Sequence, residues 1–128
     1  MTLSKNEERR LEKKILTQSD ILYFRRQYGK RFIRALRSVE EGRVFRYDFF
    51  PSDTKTWIVK GKRNEYVVIP ETFCTCRDFY QAVVIAREAT MCYHIMATTI
   101  AKVRDSFSII KSNDTARRSF FARWRKIK

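Results

Sequence analysis

The stretch that decides the fold is Phe73-Cys74-Thr75-Cys76, which is followed after 15 residues by Cys92-Tyr93-His94. These two segments hold all three cysteines and the only histidine of the 128-residue chain. Side chains at i and i+2 of an extended segment project to the same side, so Cys74 and Cys76 are predicted to face one point. The second pair lies where a helix is predicted to begin. The segment between the pairs is predicted to be helical and to bring them together.

Thiolate sulfur together with imidazole nitrogen is a donor set that zinc binds with tetrahedral geometry. The sequence therefore predicts a Zn²⁺ site with the ligands Cys74, Cys76, Cys92 and His94. The alternatives are buried cysteines without a metal, a disulfide, and an iron–sulfur cluster. The odd number of cysteines argues against the disulfide, and the histidine argues against the cluster.

Four protein ligands would leave no coordination position open for water, which is typical of a structural zinc site. The chain also has no phosphate-binding loop, no second histidine and no nucleophile elbow. We therefore expect a structural metal and no enzymatic activity.

A basic helical segment is predicted over residues 1–42. Ser4 and Glu7 have the spacing of a capping box, and Gly42 is placed to end the last helix. Whether Ser19-Asp20 continues the first helix or starts another stays open, and Gly29 weakens the helix locally. An apolar stripe at helical spacing is formed by Ile21, Phe24, Tyr28, Phe32, Ala35 and Val39. The opposite face is basic and contains Arg25, Arg26, Lys30, Arg34 and Arg37.

The middle segment, residues 43–111, changes to strand-type patterning. Aromatic and β-branched residues separated by short turns predict a three-stranded antiparallel meander over residues 44–50, 56–60 and 65–69. A helix is predicted to start near Asp78, and a longer one to run from Cys92 through Ile110. The fold class is therefore α+β: a helical segment, the meander, a zinc knuckle with two helices, and a basic tail over residues 112–128.

The chain is strongly basic, with 28 Lys and Arg, 14 Asp and Glu, and a formal net charge of +14. Residues 1–43 carry 12 basic and 6 acidic side chains, residues 44–91 carry 7 and 6, and residues 92–128 carry 9 and 2. Binding to a polyanion would offset the repulsion among these charges. Nucleic acid, either DNA or RNA, is the partner expected first, and an acidic protein second. The remaining alternative is that the charge serves solubility alone or reflects a charge-rich proteome such as a thermophile's.

No apolar run approaches the roughly 20 residues of a membrane span, and the charged start of the chain does not resemble a secretion signal. We therefore expect a cytoplasmic protein, nuclear if the source is eukaryotic, that has no membrane partner.

The tail combines cations with aromatic rings. Cations would neutralise phosphates, and exposed rings would stack on the unpaired bases of single-stranded DNA. The predicted nucleic-acid contacts in the tail are Arg117, Arg118, Phe120, Arg123, Trp124, Arg125 and Lys126. The N-terminal basic face supplies a second set, which is Arg26, Lys30 and Arg34. In the alternative interpretation, the rings dock onto the domain and the charges face water.

The Cys-x-Cys and Cys-x-His pairs resemble the SWIM zinc finger. Phe73 before the first pair, the Asp78-Phe79 helix in the spacer and Ala97 after His94 fit that likeness, which runs from about residue 35 to 108. In length the chain looks like the small stand-alone members of this family, such as the SWIM subunit of the Shu recombination complex and its archaeal relatives. The resemblance implies a partner among the RecA-family paralogues and a role in homologous recombination and DNA repair.

We therefore expect a zinc-stabilised nucleic-acid-binding accessory protein. One alternative is a sequence-specific DNA-binding transcriptional regulator of archaeal or viral type. Another is a protein–protein adaptor without a nucleic-acid role. Assembly as a homo- or hetero-oligomer stays open.

Overall fold

The computed structural model describes residues 3–125, and a five-stranded mixed sheet forms its centre. The strand order is β4-β3-β2-β1-β5. Helices cover the sheet on both faces, so the predicted α+β class is confirmed. The strands are β1 Val44–Phe50, β2 Thr54–Lys60, β3 Glu65–Ile69, β4 Phe73–Cys74 and β5 Ser108–Asn113.

Five α-helices and one π-helix make up the helical part of the described residues. They are α1 Lys5–Glu12, α2 Gln18–Tyr28, α3 Lys30–Glu40, the π-helix Phe79–Ile85, α4 Tyr93–Val103 and α5 Asp114–Trp124. Within residues 3–125, no helix combines the length and the apolar character needed to cross a membrane.

The N-terminal helices begin and end at residues whose chemistry explains the boundary. The predicted capping box of α1 is confirmed, because Ser4 and Glu7 exchange backbone-to-side-chain hydrogen bonds of 3.0 and 3.2 Å. A second capping box, Thr17 with Asp20, starts α2 and settles the point that the sequence left open. Gly29 has φ 72° and ψ −153° and separates α2 from α3. Gly42 ends α3 at φ 70°, as predicted.

The predicted three-stranded meander accounts for only part of the sheet. Its three strands are present, and β1–β2 and β2–β3 pair antiparallel. However, β4 extends the sheet beyond β3, and β5 pairs in parallel with β1, placing Ser108 opposite Phe45. The sheet is therefore mixed, and the predicted boundary between residues 111 and 112 falls inside β5.

The helix predicted from Cys92 through Ile110 is wrong in its second half. Asp105 adopts φ 51°, and the backbone N–H groups of Asp105 and Ser106 donate back to Lys102 and Ala101 over 3.3 and 2.8 Å. This Schellman arrangement ends a helix and usually employs glycine. Because aspartate occupies this position, no glycine marks the end of the helix, and the chain turns into β5 after Val103.

Alternate residues of the strands supply two separate cores, as expected for a sheet covered on both faces. Trp57 and Val59 face the layer that contains α3 and α4. Ile58, with Tyr47 and Phe49, faces α5. The first core includes Cys74, Cys76 and Cys92, and the second is closed by aromatic residues of the tail.

Candidate metal centre

The four predicted ligands are positioned by three elements next to one edge of the sheet. Cys74 ends β4, and Cys76 follows in the turn that leads to the π-helix. Cys92 is the N-cap of α4, and His94 lies in the first turn of that helix. The intervening segment is helical, as the sequence predicted, and Arg31 of α3 holds its start by two hydrogen bonds of 2.9 and 3.0 Å to Asp78.

The ligand atoms of these residues converge. The three sulfur atoms and an imidazole nitrogen all lie within 4.8 Å of one another. In a tetrahedral site with Zn–S bonds of about 2.3 Å, sulfur atoms lie about 3.8 Å apart. All four side chains are buried, with His94 only 3% exposed. The residues therefore fit a bound metal ion after shifts of about an ångström or less.

The imidazole of His94 gives an independent indication of a ligand. Neither Nδ1 nor Nε2 has a hydrogen-bond partner among residues 3–125, and both atoms are buried. A buried polar atom without a partner is costly, and coordination by one nitrogen would remove part of that cost. The ring packs against two tyrosines, with centroid distances of 4.2 Å to Tyr66 and 3.9 Å to Tyr93.

The sulfur atoms lie where backbone amides favour thiolate. The N–H of Phe79 donates to Cys76 Sγ over 3.3 Å, and the N–H of Ile95 donates to Cys92 Sγ over 3.5 Å. Both donors lie in the first turn of a helix, where the helix dipole also favours negative charge.

The pKa values of the thiols differ because the sulfur atoms contact one another. The contact with Cys74 holds the pKa of Cys76 well below its usual range, and the same contact raises the pKa of Cys74. Contact with Cys74 lowers the pKa of Cys92, but Cys76 and burial together raise it to about 12. Metal binding to this cluster would release the thiol protons that remain.

The predicted nucleic-acid residues do not form one surface. Arg26 lies beside Arg10 and Tyr23 on the α2 side. Lys30 is exposed on α3, and Arg34 of the same helix lines a groove beside the β2–β3 turn. The tail cations Arg117, Arg118 and Arg125 line a third depression on α5.

Of the two tail aromatics predicted to stack on bases, Trp124 is buried in the structure and Phe120 is half-buried. Trp124 is only 2% exposed and packs edge-on against Tyr47 at 5.1 Å between ring centroids. Phe120 is half-buried and also contacts Tyr47, at 5.1 Å. The rings dock onto the sheet, as the alternative interpretation of the tail predicts. They do so because β1 has an apolar face that α5 covers.

The cations of the tail differ in their contacts within the protein. Arg123 forms an ion pair of 3.0 Å with Glu65, and Arg117 donates to Thr54 Oγ1 over 2.9 Å. Arg118 and Arg125 are exposed. Lys126 lies outside the described residues.

Sequence reasoning did not identify the residues that surround the ligands. Tyr66 and Tyr93 hold His94, and Arg34 stacks on Tyr93 with its guanidinium carbon 4.2 Å from the ring centroid. Tyr93 lies between Cys92 and His94 in the sequence, and this position could have identified it as a residue next to the ligands. Tyr66 carries no such signal, because only the fold places β3 beside α4.

Comparisons with known proteins give no match to this chain among family models, curated proteins or solved structures.

Proposed function

We propose that this chain is a zinc-stabilised nucleic-acid-binding accessory protein. The observation that carries the proposal is the buried cluster of three sulfur atoms and one imidazole at ligand spacing. A shell filled by four protein ligands suits a structural metal, since a catalytic zinc keeps a position for water or substrate. The metal would join β4, the start of the π-helix and α4, and its chemistry there would be to hold these elements together.

The nucleic-acid part of the proposal is supported by charge. The chain carries a formal net charge of +14, and the cations Arg26, Lys30, Arg34 and Arg118 are exposed. Several carboxylates are already paired with cations within the protein, among them Asp20, Asp78 and Glu65. A polyanion would therefore meet more cations than carboxylates on the protein.

The biological setting is proposed from the SWIM resemblance. On that basis the protein assists homologous recombination or DNA repair beside a RecA-family paralogue, in the cytoplasm or, in a eukaryote, the nucleus. It needs no catalytic site of its own for this role. The partner part is tested by co-purification with a RecA-family paralogue of the source organism in the presence of nuclease. Loss of the complex after nuclease treatment would contradict a direct protein contact.

The metal and nucleic-acid parts are tested together on the purified chain. Elemental analysis is expected to give about one zinc per chain. Titration with single-stranded and duplex oligonucleotides is expected to show binding. The logarithm of the affinity should fall linearly with the logarithm of the salt concentration. A zinc-free protein with an unchanged fold would contradict the first part. Absence of binding to every nucleic acid at low salt would contradict the second.

A further inference from the structure

A basic groove lies between α3 and the turn that joins β2 to β3, next to the metal centre. Its volume is about 750 Å³. Five cationic side chains and one carboxylate line it: Arg34, Arg37, Arg43, Lys62, Arg63 and Glu41. Only Arg34 belongs to the residues that the sequence singled out for nucleic-acid contact.

The single carboxylate does not cancel the positive charge of the groove. Glu41 is paired with Arg43 at 3.4 Å between the carboxylate oxygen and Nε. Arg34, Arg37, Lys62 and Arg63 are exposed. Cations that share a concave surface raise the local concentration of anionic ligands more than the same charges on a convex one.

The wall of the groove is fixed by the metal centre. Arg34 contacts Tyr93, Tyr93 contacts His94, and His94 contacts Tyr66, at successive distances of 4.2, 3.9 and 4.2 Å to or between ring centroids. A guanidinium placed over an aromatic ring is partly immobilised and loses less entropy when it binds an anion than a freely rotating one. Because His94 is one of the metal ligands, the metal would hold these contacts and thereby Arg34.

The opposite side of the groove is a tight turn. The N–H of Gly61 donates to the carbonyl of Asn64 over 2.8 Å, which leaves Lys62 and Arg63 at the tip. A Cβ at Gly61 would lie 3.3 Å from the ring of Tyr66, so the turn packs closely on the same tyrosine that holds His94. Both sides of the groove are therefore supported by the residues around the metal.

Each aromatic ring in the groove already has partners within the protein. Tyr93 has the guanidinium of Arg34 stacked on it and also packs against His94. Tyr66 stacks on His94 and packs against Gly61. Base stacking requires an open ring face, whereas cations are suited to phosphate oxygens. With five cations and two rings that already have partners, the groove suits the backbone of a nucleic acid better than its bases.

We propose that this groove binds the phosphodiester backbone of a nucleic acid without base selection, and that the metal centre keeps it in shape. The proposal rests on the nucleic-acid function proposed above and assigns the site. Binding is carried by Arg34, Arg37, Lys62 and Arg63. Base identity does not enter, so affinities for oligonucleotides of different sequence but equal length and form are expected to agree.

The test compares two charge-reversal variants of the full chain with equal changes in net charge. Lys62→Glu with Arg63→Glu alters the groove, and Lys5→Glu with Arg9→Glu alters exposed positions on α1. Each lost phosphate contact reduces the steepness of log affinity against log salt concentration by about one unit. It also reduces the affinity by about tenfold at about 0.1 M salt. The groove variant is expected to lose at least that much on single-stranded DNA, duplex DNA and RNA, and the control variant much less.

Three outcomes are decisive. If wild type binds nucleic acid and the two variants weaken it equally, the groove assignment is overturned while the proposed function stands. If wild type binds no nucleic acid at low salt, both fail. If polyglutamate of matched charge competes as well as the oligonucleotides do, the groove binds acidic protein instead. Zinc content and circular dichroism confirm that each variant is folded, and Lys62→Ala with Arg63→Ala replaces the groove variant if charge reversal impairs folding.

Discussion

Trp124 is among the largest fully buried side chains of the described residues and closes the core between the sheet and α5. Its ring contacts Tyr47, Phe120 and Phe121 at centroid distances of 5.1 to 5.5 Å. Trp124→Ala is expected to lower the free energy of unfolding by about 3–5 kcal/mol, because it removes the ring and leaves a cavity. Urea unfolding measures the change. Arg118→Ala, on the exposed side of α5, is the control and is expected to cost about 0.5 kcal/mol or less. Equal stability of the two variants would show that α5 does not dock as described.

Asp20 is a buried carboxylate that links α1 to α2. The backbone N–H of Thr17 lowers the pKa of Asp20, burial opposes this, and Lys13 lowers the pKa further. Because the folded-state pKa is lowered, the ionised carboxylate stabilises the protein above the unfolded-state pKa of about 3.9, and this contribution is lost as the pH falls toward the folded-state value. Asp20→Asn is therefore expected to lower the free energy of unfolding at neutral pH. In acid the difference in unfolding free energy between the variant and wild type is expected to become smaller. Urea unfolding at several pH values measures this, with Glu12→Gln at an exposed position of α1 as the control. A difference that does not change with pH would contradict the assignment.

At the scale of elements, the break between α2 and α3 depends on Gly29. Its φ of 72° and ψ of −153° belong to a region that is essentially restricted to glycine. An added Cβ would meet no atom within 4 Å, so the cost of Gly29→Ala is conformational rather than steric. We expect a loss of about 1–3 kcal/mol in the free energy of unfolding. Chemical denaturation measures it, with Lys30→Ala as a neighbouring control. A variant as stable as wild type would mean that the two helices can rejoin without this conformation.

The elements that the sequence predicted correctly are those with local causes. Ser4 with Glu7 and Gly42 act on their own helices, and the three central strands follow from alternation and turns. The ligand set followed from the chemistry of cysteine and histidine at short spacing. Strand β5 was missed because Ile109 and Ile110 acquire their role only by pairing beside β1, which is a tertiary effect. The groove was missed for the same reason, since only the fold brings Arg34 and Lys62 to one surface.

At the scale of the molecule, the metal is expected to determine stability. Zinc-finger peptides gain on the order of 10 kcal/mol from metal binding. Removing zinc with a chelator is therefore expected to lower the melting temperature strongly and to weaken nucleic-acid binding at the groove in parallel. Cys76→Ser is expected to do the same, while Arg77→Ser at the exposed neighbouring position keeps both properties. Thermal unfolding and oligonucleotide titration with and without chelator measure this. An unchanged melting curve after complete zinc removal would contradict a structural role.

The parallel pairing of β1 with β5 places the metal centre inside the long loop whose ends must meet for the sheet to close. Closing a flexible loop costs configurational entropy that grows with its length. A metal bound by Cys74 and His94 would cross-link part of that loop and shorten the segment that remains to be closed. Metal binding is therefore expected to favour the later pairing of β1 with β5. A chain synthesised where zinc is scarce would spend longer with the outer edge of β1 unpaired, and unpaired strand edges are where other chains add and aggregation begins.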